Sequence, residues 1–339
     1  MNLNGKNVLL LAPNFFEYSG NIKNELSALG ANVEIFNERV SDKPIIKAII
    51  RKRLHFLIYP LITNYYKKIL DKVQIINFDY IFVINPEVIN KTIFTKLSKN
   101  NRNVKTILYL WDSINNKPHF KELFSLFDSM WSFDYSDCQK NENLNFMPLF
   151  FDNSYVETSY RDVQIEFDLC FIGTVHSDRF AIVNAIKSQA ENLGLKVYTF
   201  MYLPSKLMFF YKKCFDKGFK DIKYSELSYK PLKEDDVIEI MAKSKVIIDI
   251  NHDLQTGLTS RTFETLASCK KLLTTNKRIA EFDFYDNRNV EILDRKNPRI
   301  QIDFFESEFN YHKAPLMDNY SISNWIKKIF SQHNKSNTL

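Results

Sequence analysis

Glycine is scarce in this chain, with 7 among 339 residues, so the position of each one is informative. No apolar run approaches the roughly eighteen residues a membrane-spanning helix needs. The opening MNLNGKNVLLLAPN has too short an apolar run for a signal peptide and reads instead as a first strand, so a cytoplasmic protein is expected. Cys138, Cys170, Cys214 and Cys269 show no paired spacing, and the 6 histidines form no metal motif. Neither disulfides nor a metal site is therefore expected. Acidic residues are missing from Lys43 to Leu70, a segment that carries Lys43, Lys47, Arg51, Lys52, Arg53, Lys67 and Lys68.

What is present is a soluble, globular composition, 45% hydrophobic and 25% charged, in a chain too long for one comfortable core. Two domains follow as the expectation. The glycines show where they begin. Strand Val8 to Leu11, a loop with Gly20, helix Asn21 to Leu29, Gly30 as a stop and strand Val33 to Phe36 form one βαβ start. Strand Leu169 to Ile172, Gly173, helix Arg179 to Leu193, Gly194 and strand Lys196 to Phe200 repeat that order. An α/β protein of two Rossmann-like halves explains the repetition better than one continuous sheet.

The most informative stretch is Lys245 to Asn276. Val246 to Ile250 reads as a buried strand ending at Asn251, His252 and Asp253; Gly257 falls in the following loop, and Thr259 or Ser260 caps a helix that runs to Ser268. In open parallel sheets ligands bind beyond the strands' carboxyl ends, where helix N-termini favour anions. Arg261 and Glu264, three apart, share a face near that helix start. A guanidinium there suits a phosphate and a carboxylate suits sugar hydroxyls; an Arg–Glu pair of purely structural use has the same spacing.

In the first half, Phe78 to Ile84 and Val104 to Trp111 read as further strands, with Met130 to Phe133 and Asn145 to Leu149 as shorter ones. Glu17, Glu87 and Asp112 stand just past strand ends, where carboxylates also serve as plain turn residues. Asp112 stands out, since it follows a strongly apolar strand and opens a polar stretch reaching His119. The acid-free segment Lys43 to Leu70 reads as an amphipathic helix interrupted at Pro60. It suits an anionic membrane surface, or equally a sheet-packed helix with a solvated basic face. The basic and aromatic stretch Lys206 to Lys223 adds to the membrane reading. Nucleic acid is not expected as a partner, because no nucleic-acid motif accompanies the charge.

FIGTVHSDR (Phe171 to Arg179) together with DLQTGLTSRTFETLASCKKLLTTN (Asp253 to Asn276) resembles the C-terminal half of bacterial GT-B glycosyltransferases of the capsule and lipopolysaccharide assembly type. It is also similar to the spore-maturation CgeB-like glycosyltransferases, and YLWDS (Tyr109 to Ser113) and FDYSD (Phe133 to Asp137) fit the first half of such proteins. The resemblance implies two Rossmann-like domains facing a cleft: residues 1–155 for the acceptor, 156–320 for a nucleotide-sugar donor, and 321–339 as a helix crossing back before a polar tail. It implies transfer of a sugar to a glycan or lipid-linked acceptor in surface polysaccharide synthesis, with no cofactor and no metal. A peripheral position on the inner face of the cell membrane goes with that role.

By the same resemblance, Gly173, Thr174 and Arg179 match the first donor loop, Thr256, Gly257, Thr259, Ser260 and Arg261 the loop and helix start near the diphosphate, and Glu264 the ribose carboxylate. Gly20, Glu87 and His119 fall to the acceptor side. Many retaining enzymes of this fold have a second glutamate eight residues before the ribose glutamate; here that position is Thr256. Inversion stays open, with Asp112 first and Glu17 second as the general base. No DxD-like motif stands at a strand end, and Asp235 and Asp236 read as helix-capping residues. Two other readings share this architecture: a sugar-nucleotide epimerase, and a two-domain module that binds a nucleotide or sugar without chemistry.

Overall fold

The structure is a computed structural model that describes residues 3–14, 17–99, 101, 103–159, 163–176 and 178–331. It divides into two compact units, Met1–Pro148 joined by Ile322–Leu339, and Leu149–Ser321.

The first unit is built on a six-stranded parallel sheet in the order β2-β1-β3-β4-β5-β6. The strands are β1 (Asn7–Ala12), β2 (Asn32–Asn37), β3 (Tyr80–Ile84), β4 (Lys105–Leu110), β5 (Ser129–Ser132) and β6 (Asn145–Phe146). Successive strand residues face opposite sides, so the near-continuous apolar runs of β1, β3 and β4 need cover on both faces. Leu9, Leu11, Ile81 and Val83 pack with Ile50, Ile62, Tyr66 and Ile69 from the helices Pro44–Arg51 and Tyr59–Val73. On the other face Phe82 and Tyr109 meet Trp325 at ring separations of 6.0 and 4.7 Å. Trp325 lies on the final helix, Ile322–Ser331, which packs beside helix Tyr18–Ala28. The expected polar tail beyond it lies outside the described residues.

The second unit holds a five-stranded parallel sheet in the order β11-β10-β9-β7-β8. Its strands are β7 (Phe167–Thr174), β8 (Val197–Tyr202), β9 (Ser244–Asp249), β10 (Lys271–Thr274) and β11 (Val290–Ile292). Leu169, Phe171 and Ile248 face Ile182, Val183 and Ile186 of helix Arg179–Asn192, whereas Cys170 and Ile247 face Ile238 and Met241 of helix Glu234–Ala242.

Several sequence expectations shift. The first-unit boundary falls after Pro148, not after residue 155, because helix Asn153–Ser159 packs on helices Glu234–Ala242 and Ser260–Ala267. Pro60 does not interrupt a helix but opens one: the basic segment is helix Pro44–Arg51, a left-handed turn at Arg53 (φ 56°), and helix Tyr59–Val73 with proline in its first turn, where no N–H is missed. Gly20 is no loop residue, since it sits in the first turn of helix Tyr18–Ala28. Gly30 and Gly194 do stop their helices, at φ 95° and 77°, the left-handed conformation that glycine adopts without cost.

Candidate functional site

In the second unit the site is assembled from Asp249 outward. Asp249 ends β9, and its Oδ2 accepts hydrogen bonds from Thr259 Oγ1 and Thr262 Oγ1, both at 2.7 Å. The Thr259 hydroxyl is thereby diverted to Asp249 and does not cap helix Ser260–Ala267, whose N-terminus carries a partial positive charge suited to anions. The loop before it is clamped from β10: Asn276 Nδ2 donates to the carbonyls of Thr256 and Gly257 at 3.2 and 3.0 Å, and Thr275 Oγ1 donates to Asn251 Oδ1 at 2.9 Å.

Cations gather around this frame. Arg179, the first residue of its helix, donates to the carbonyl of Thr174 at 2.9 Å and to that of Ile250, bridging the ends of β7 and β9. Burial lowers its pKa to about 10, with Asp249 opposing that shift. Among the described residues its buried Nε has no hydrogen-bond partner. A side chain at Gly173 would come within 2.8 Å of the Phe171 ring and 3.4 Å of Arg179 Nη1, so glycine permits the close fit. Arg295, just past β11, holds Asp178 and also donates to the carbonyl of Asn251 at 3.0 Å.

The ring of His176 lies 5.2 Å from that of His252. Burial depresses the His176 pKa to about 3, and Arg179, His252, Lys212 and Arg295 push the same way. His176 is therefore neutral at physiological pH, chiefly because of desolvation and secondarily because of the cations around it.

Arg261 and Glu264 do form a pair, Nη1 to Oε2 at 2.9 Å, with Glu264 only 1% exposed. They lie against Tyr155, whose phenol pKa is driven far up by burial and further by Glu264. Arg261 also lies within electrostatic reach of Arg179. Ser260, at the helix start, is half-buried, and Gly257 is buried.

In the first unit, strand-end loops also converge. Glu87, beyond β3, is ion-paired with Arg39 Nε at 2.5 Å and with Lys117 Nζ, which also reaches Asp112 Oδ2 at 3.3 Å. Burial alone would raise the Glu87 pKa, but the two cations bring it down to about 2. Asp112 Oδ1 accepts from the Ser113 N–H and Asn116 Nδ2, both at 3.0 Å. His119 Nε2 lies 3.3 Å from the Pro86 carbonyl, and its pKa is lowered by burial and by Arg53. Beneath them Glu38 is fully buried, accepting from the Ile89 N–H at 2.7 Å, and burial raises its pKa to about 7. Glu17, by contrast, is exposed at the N-terminus of its helix.

The structure thus brings Glu87, Asp112 and His119 into one neighbourhood through Lys117 and Pro86. It likewise joins Gly173, Thr174 and Arg179 to the Thr256–Ser260 loop through Ile250 and Asp249. The sequence reading missed Arg39, Lys117, Asp178, Asp249 and Arg295. Only Asp249 left a local signal, a carboxylate within the apolar run Val246 to Ile250.

No family model matches the chain, and no curated protein matches it in sequence. Solved structures do match it. A glycosyltransferase from Rickettsia africae aligns with a TM-score of 0.60 at 12% identity, over 99% of this chain and 100% of its own. HepE of Anabaena, solved in complex with UDP and glucose, aligns with a TM-score of 0.61 at 10% identity, over 97% of this chain and 100% of its own. An E. coli trehalose-6-phosphate structure bound with UDP-2-fluoro glucose gives 0.61 at 11% identity, over 96% of this chain and 98% of its own. At such identities the likeness speaks to fold, and the fold is GT-B: two Rossmann-like α/β domains, each on a parallel sheet.

Proposed function

We propose that this protein is a glycosyltransferase whose second unit holds a nucleoside-diphosphate sugar. The observation that carries the reading is Arg179, held on the carbonyls of Thr174 and Ile250 with its buried Nε unbonded among the described residues, together with Arg295 on the neighbouring carbonyl of Asn251. Departure of a nucleoside diphosphate from a sugar leaves a multiply charged group, and guanidinium groups with helix N–H groups are suited to stabilise it. The Arg179 Nε supplies a buried donor for a phosphate oxygen. Thr174, Gly257, Thr259 and Ser260 line the approach, and Glu264 takes the ribose hydroxyls once its pair with Arg261 opens.

In the reaction, a base removes the acceptor hydroxyl's proton, the oxygen bonds to the anomeric carbon, and the bond from that carbon to the diphosphate oxygen breaks. We assign the base to Asp112. Glu87 is held ionised by two cations and is a poor proton acceptor, whereas Asp112 has one partly shared lysine. Because arginines meet the leaving group's charge, we read the chemistry as metal-independent. The acceptor is a glycan or a lipid-linked saccharide of surface polysaccharide or lipopolysaccharide synthesis, reached from the inner face of the cell membrane. The exposed Ile45, Phe56, Leu57 and Tyr59 among Arg51, Lys52 and Arg53 support membrane association. No helix among the described residues is long and apolar enough to cross a bilayer.

The test is titration calorimetry with UDP and other nucleoside diphosphates, paired with a product assay on nucleotide sugars with and without saccharide acceptors. Binding lost in Arg179→Met together with acceptor-dependent release of nucleoside diphosphate supports the reading. Turnover to a free sugar product without any acceptor would reassign the protein as an epimerase, and binding with no turnover as a sensing module.

A further inference from the structure

Helix Lys206–Phe215, which follows β8, presents an apolar face to solvent. At about 100° per residue, Leu207, Phe210, Tyr211, Cys214 and Phe215 fall on one side. Leu207 is 81% exposed, Phe210 58%, Tyr211 63% and Phe215 76%. Phe209, on the opposite side, is 4% exposed and packs in the core with Leu203 and Phe219. Four large apolar side chains exposed together on so short a helix go beyond ordinary surface scatter and mark an interaction surface.

The charge around this face has one dominant sign. The helix carries Lys206, Lys212 and Lys213 and no acidic residue, and the exposed Lys220 and Lys223 follow, against Asp216 and Asp221. The lysines are braced at the margin of the apolar face: Lys212 lies 4.4 Å from the Phe219 ring centre and 3.2 Å from Asp216, Lys213 donates to the Ile222 carbonyl at 2.8 Å, and Lys206 lies 5.8 Å from the Tyr224 ring centre. An apolar stripe with lysines along its border is complementary to a surface of acyl chains beneath anionic headgroups.

We propose that this helix docks the second unit on an anionic lipid bilayer. Phe210, Tyr211 and Phe215 enter the acyl boundary while the flanking lysines meet headgroup phosphates. The helix leaves the carboxyl end of β8, the edge of the sheet that carries Arg179 and Arg295, and Lys212 is close enough to depress the His176 pKa. Docking therefore sets the anion site at the lipid surface. This surface is separate from Lys43 to Leu70, and it stands whether or not the protein transfers sugars.

The experiment uses the full chain and vesicles of phosphatidylglycerol with phosphatidylcholine, or of phosphatidylcholine alone. The wild type is expected to sediment with the anionic vesicles, and Phe210→Ser/Phe215→Ser to bind them about tenfold more weakly or worse. A Phe215→Trp chain is expected to be quenched by brominated phosphatidylglycerol, with the wild type little affected because Trp131 and Trp325 are buried and Trp111 is half-buried. The proposal is overturned if the double serine variant binds like the wild type, or if the Phe215→Trp chain sediments without quenching, which would leave docking to the Arg51, Lys52 and Arg53 segment. Loss of self-association in the serine variant with vesicle binding intact would assign the face to a second copy of the chain and overturn it too. UDP titration without vesicles reads the anion site separately, so failure of one proposal is not mistaken for failure of the other.

Discussion

Arg295 grips Asp178 through two parallel hydrogen bonds, Nε to Oδ2 at 2.8 Å and Nη2 to Oδ1 at 2.6 Å, across 117 positions of sequence. Such a bidentate pair fixes the guanidinium plane in advance of any ligand. The carboxylate also neutralises part of the charge an anion would seek. Arg295→Ala should therefore weaken nucleoside-diphosphate binding by roughly ten- to a hundredfold, whereas Asp178→Asn should leave it intact or tighten it. Calorimetry on both variants decides the point; equal losses in both would reduce the pair to a structural clamp.

His176 makes a pH-dependent prediction. An unfolded histidine titrates near about 6.5, while the folded His176 titrates at about 3. Between those values the unfolded chain holds a proton that the folded chain does not, so this contribution to stability is complete above about pH 6.5 and is lost as pH falls toward about 3. His176→Asn should flatten that part of the melting curve against pH. A bound diphosphate would oppose the cations and raise the folded pKa, so binding near about pH 5 should take up protons, visible in buffers of different ionisation enthalpy. An acid limb with the same slope in His176→Asn would show that other groups set it.

Glu87 and Asp112 share Lys117 yet should behave oppositely. Glu87→Gln removes an ion pair to Arg39 and Lys117 in a half-buried setting, and should lower stability by about 1–3 kcal/mol. Because the folded Glu87 pKa is depressed to about 2, its stabilising contribution is present above about pH 4.5 and fades as pH falls through about 2. Asp112→Asn should melt near the wild type and lose roughly 100- to 10,000-fold in turnover with donor binding unchanged. Turnover at the wild-type rate in Asp112→Asn would pass the role to the exposed Glu17.

These residues also show what a sequence exposes and what it hides. Strands β1, β3, β4, β7 and β9 were legible because strands buried on both faces write unbroken apolar runs, and Gly30 and Gly194 mark helix ends by a backbone conformation that other residues resist. β11 is only Val290–Ile292, with Glu291 in its middle, and carries no usable period; Arg295, placed by that strand, went unread with it. Lys117 and Arg39 take their meaning from Glu87, which lies 30 and 48 positions away in the chain. Such long-range pairings come from the order of strands in the sheet, and local spacing does not encode that order. The Arg261–Glu264 spacing was readable, but not that helix Ser260–Ala267 is buried from Thr262 onward.

That burial separates two roles for the pair. Glu264 sits 2.9 Å from Arg261, at 1% exposure, so Arg261→Ala takes away the cation facing a carboxylate that water barely reaches. The expected cost is about 3–5 kcal/mol, more than the single change Glu264→Gln, which removes the charge itself. Combining them as Arg261→Met/Glu264→Gln should recover much of that loss, because no ion then remains to be desolvated, and a thermodynamic cycle over the four chains gives the coupling. The double variant, folded but without the carboxylate, then tests the donor role alone. If Glu264 receives the ribose hydroxyls, that variant should bind nucleoside diphosphate at least about tenfold more weakly while still holding inorganic pyrophosphate through Arg179 and Arg295. Wild-type nucleotide affinity in a stable double variant would make the pair purely structural and move the ribose contact elsewhere in the Thr256–Ser260 loop.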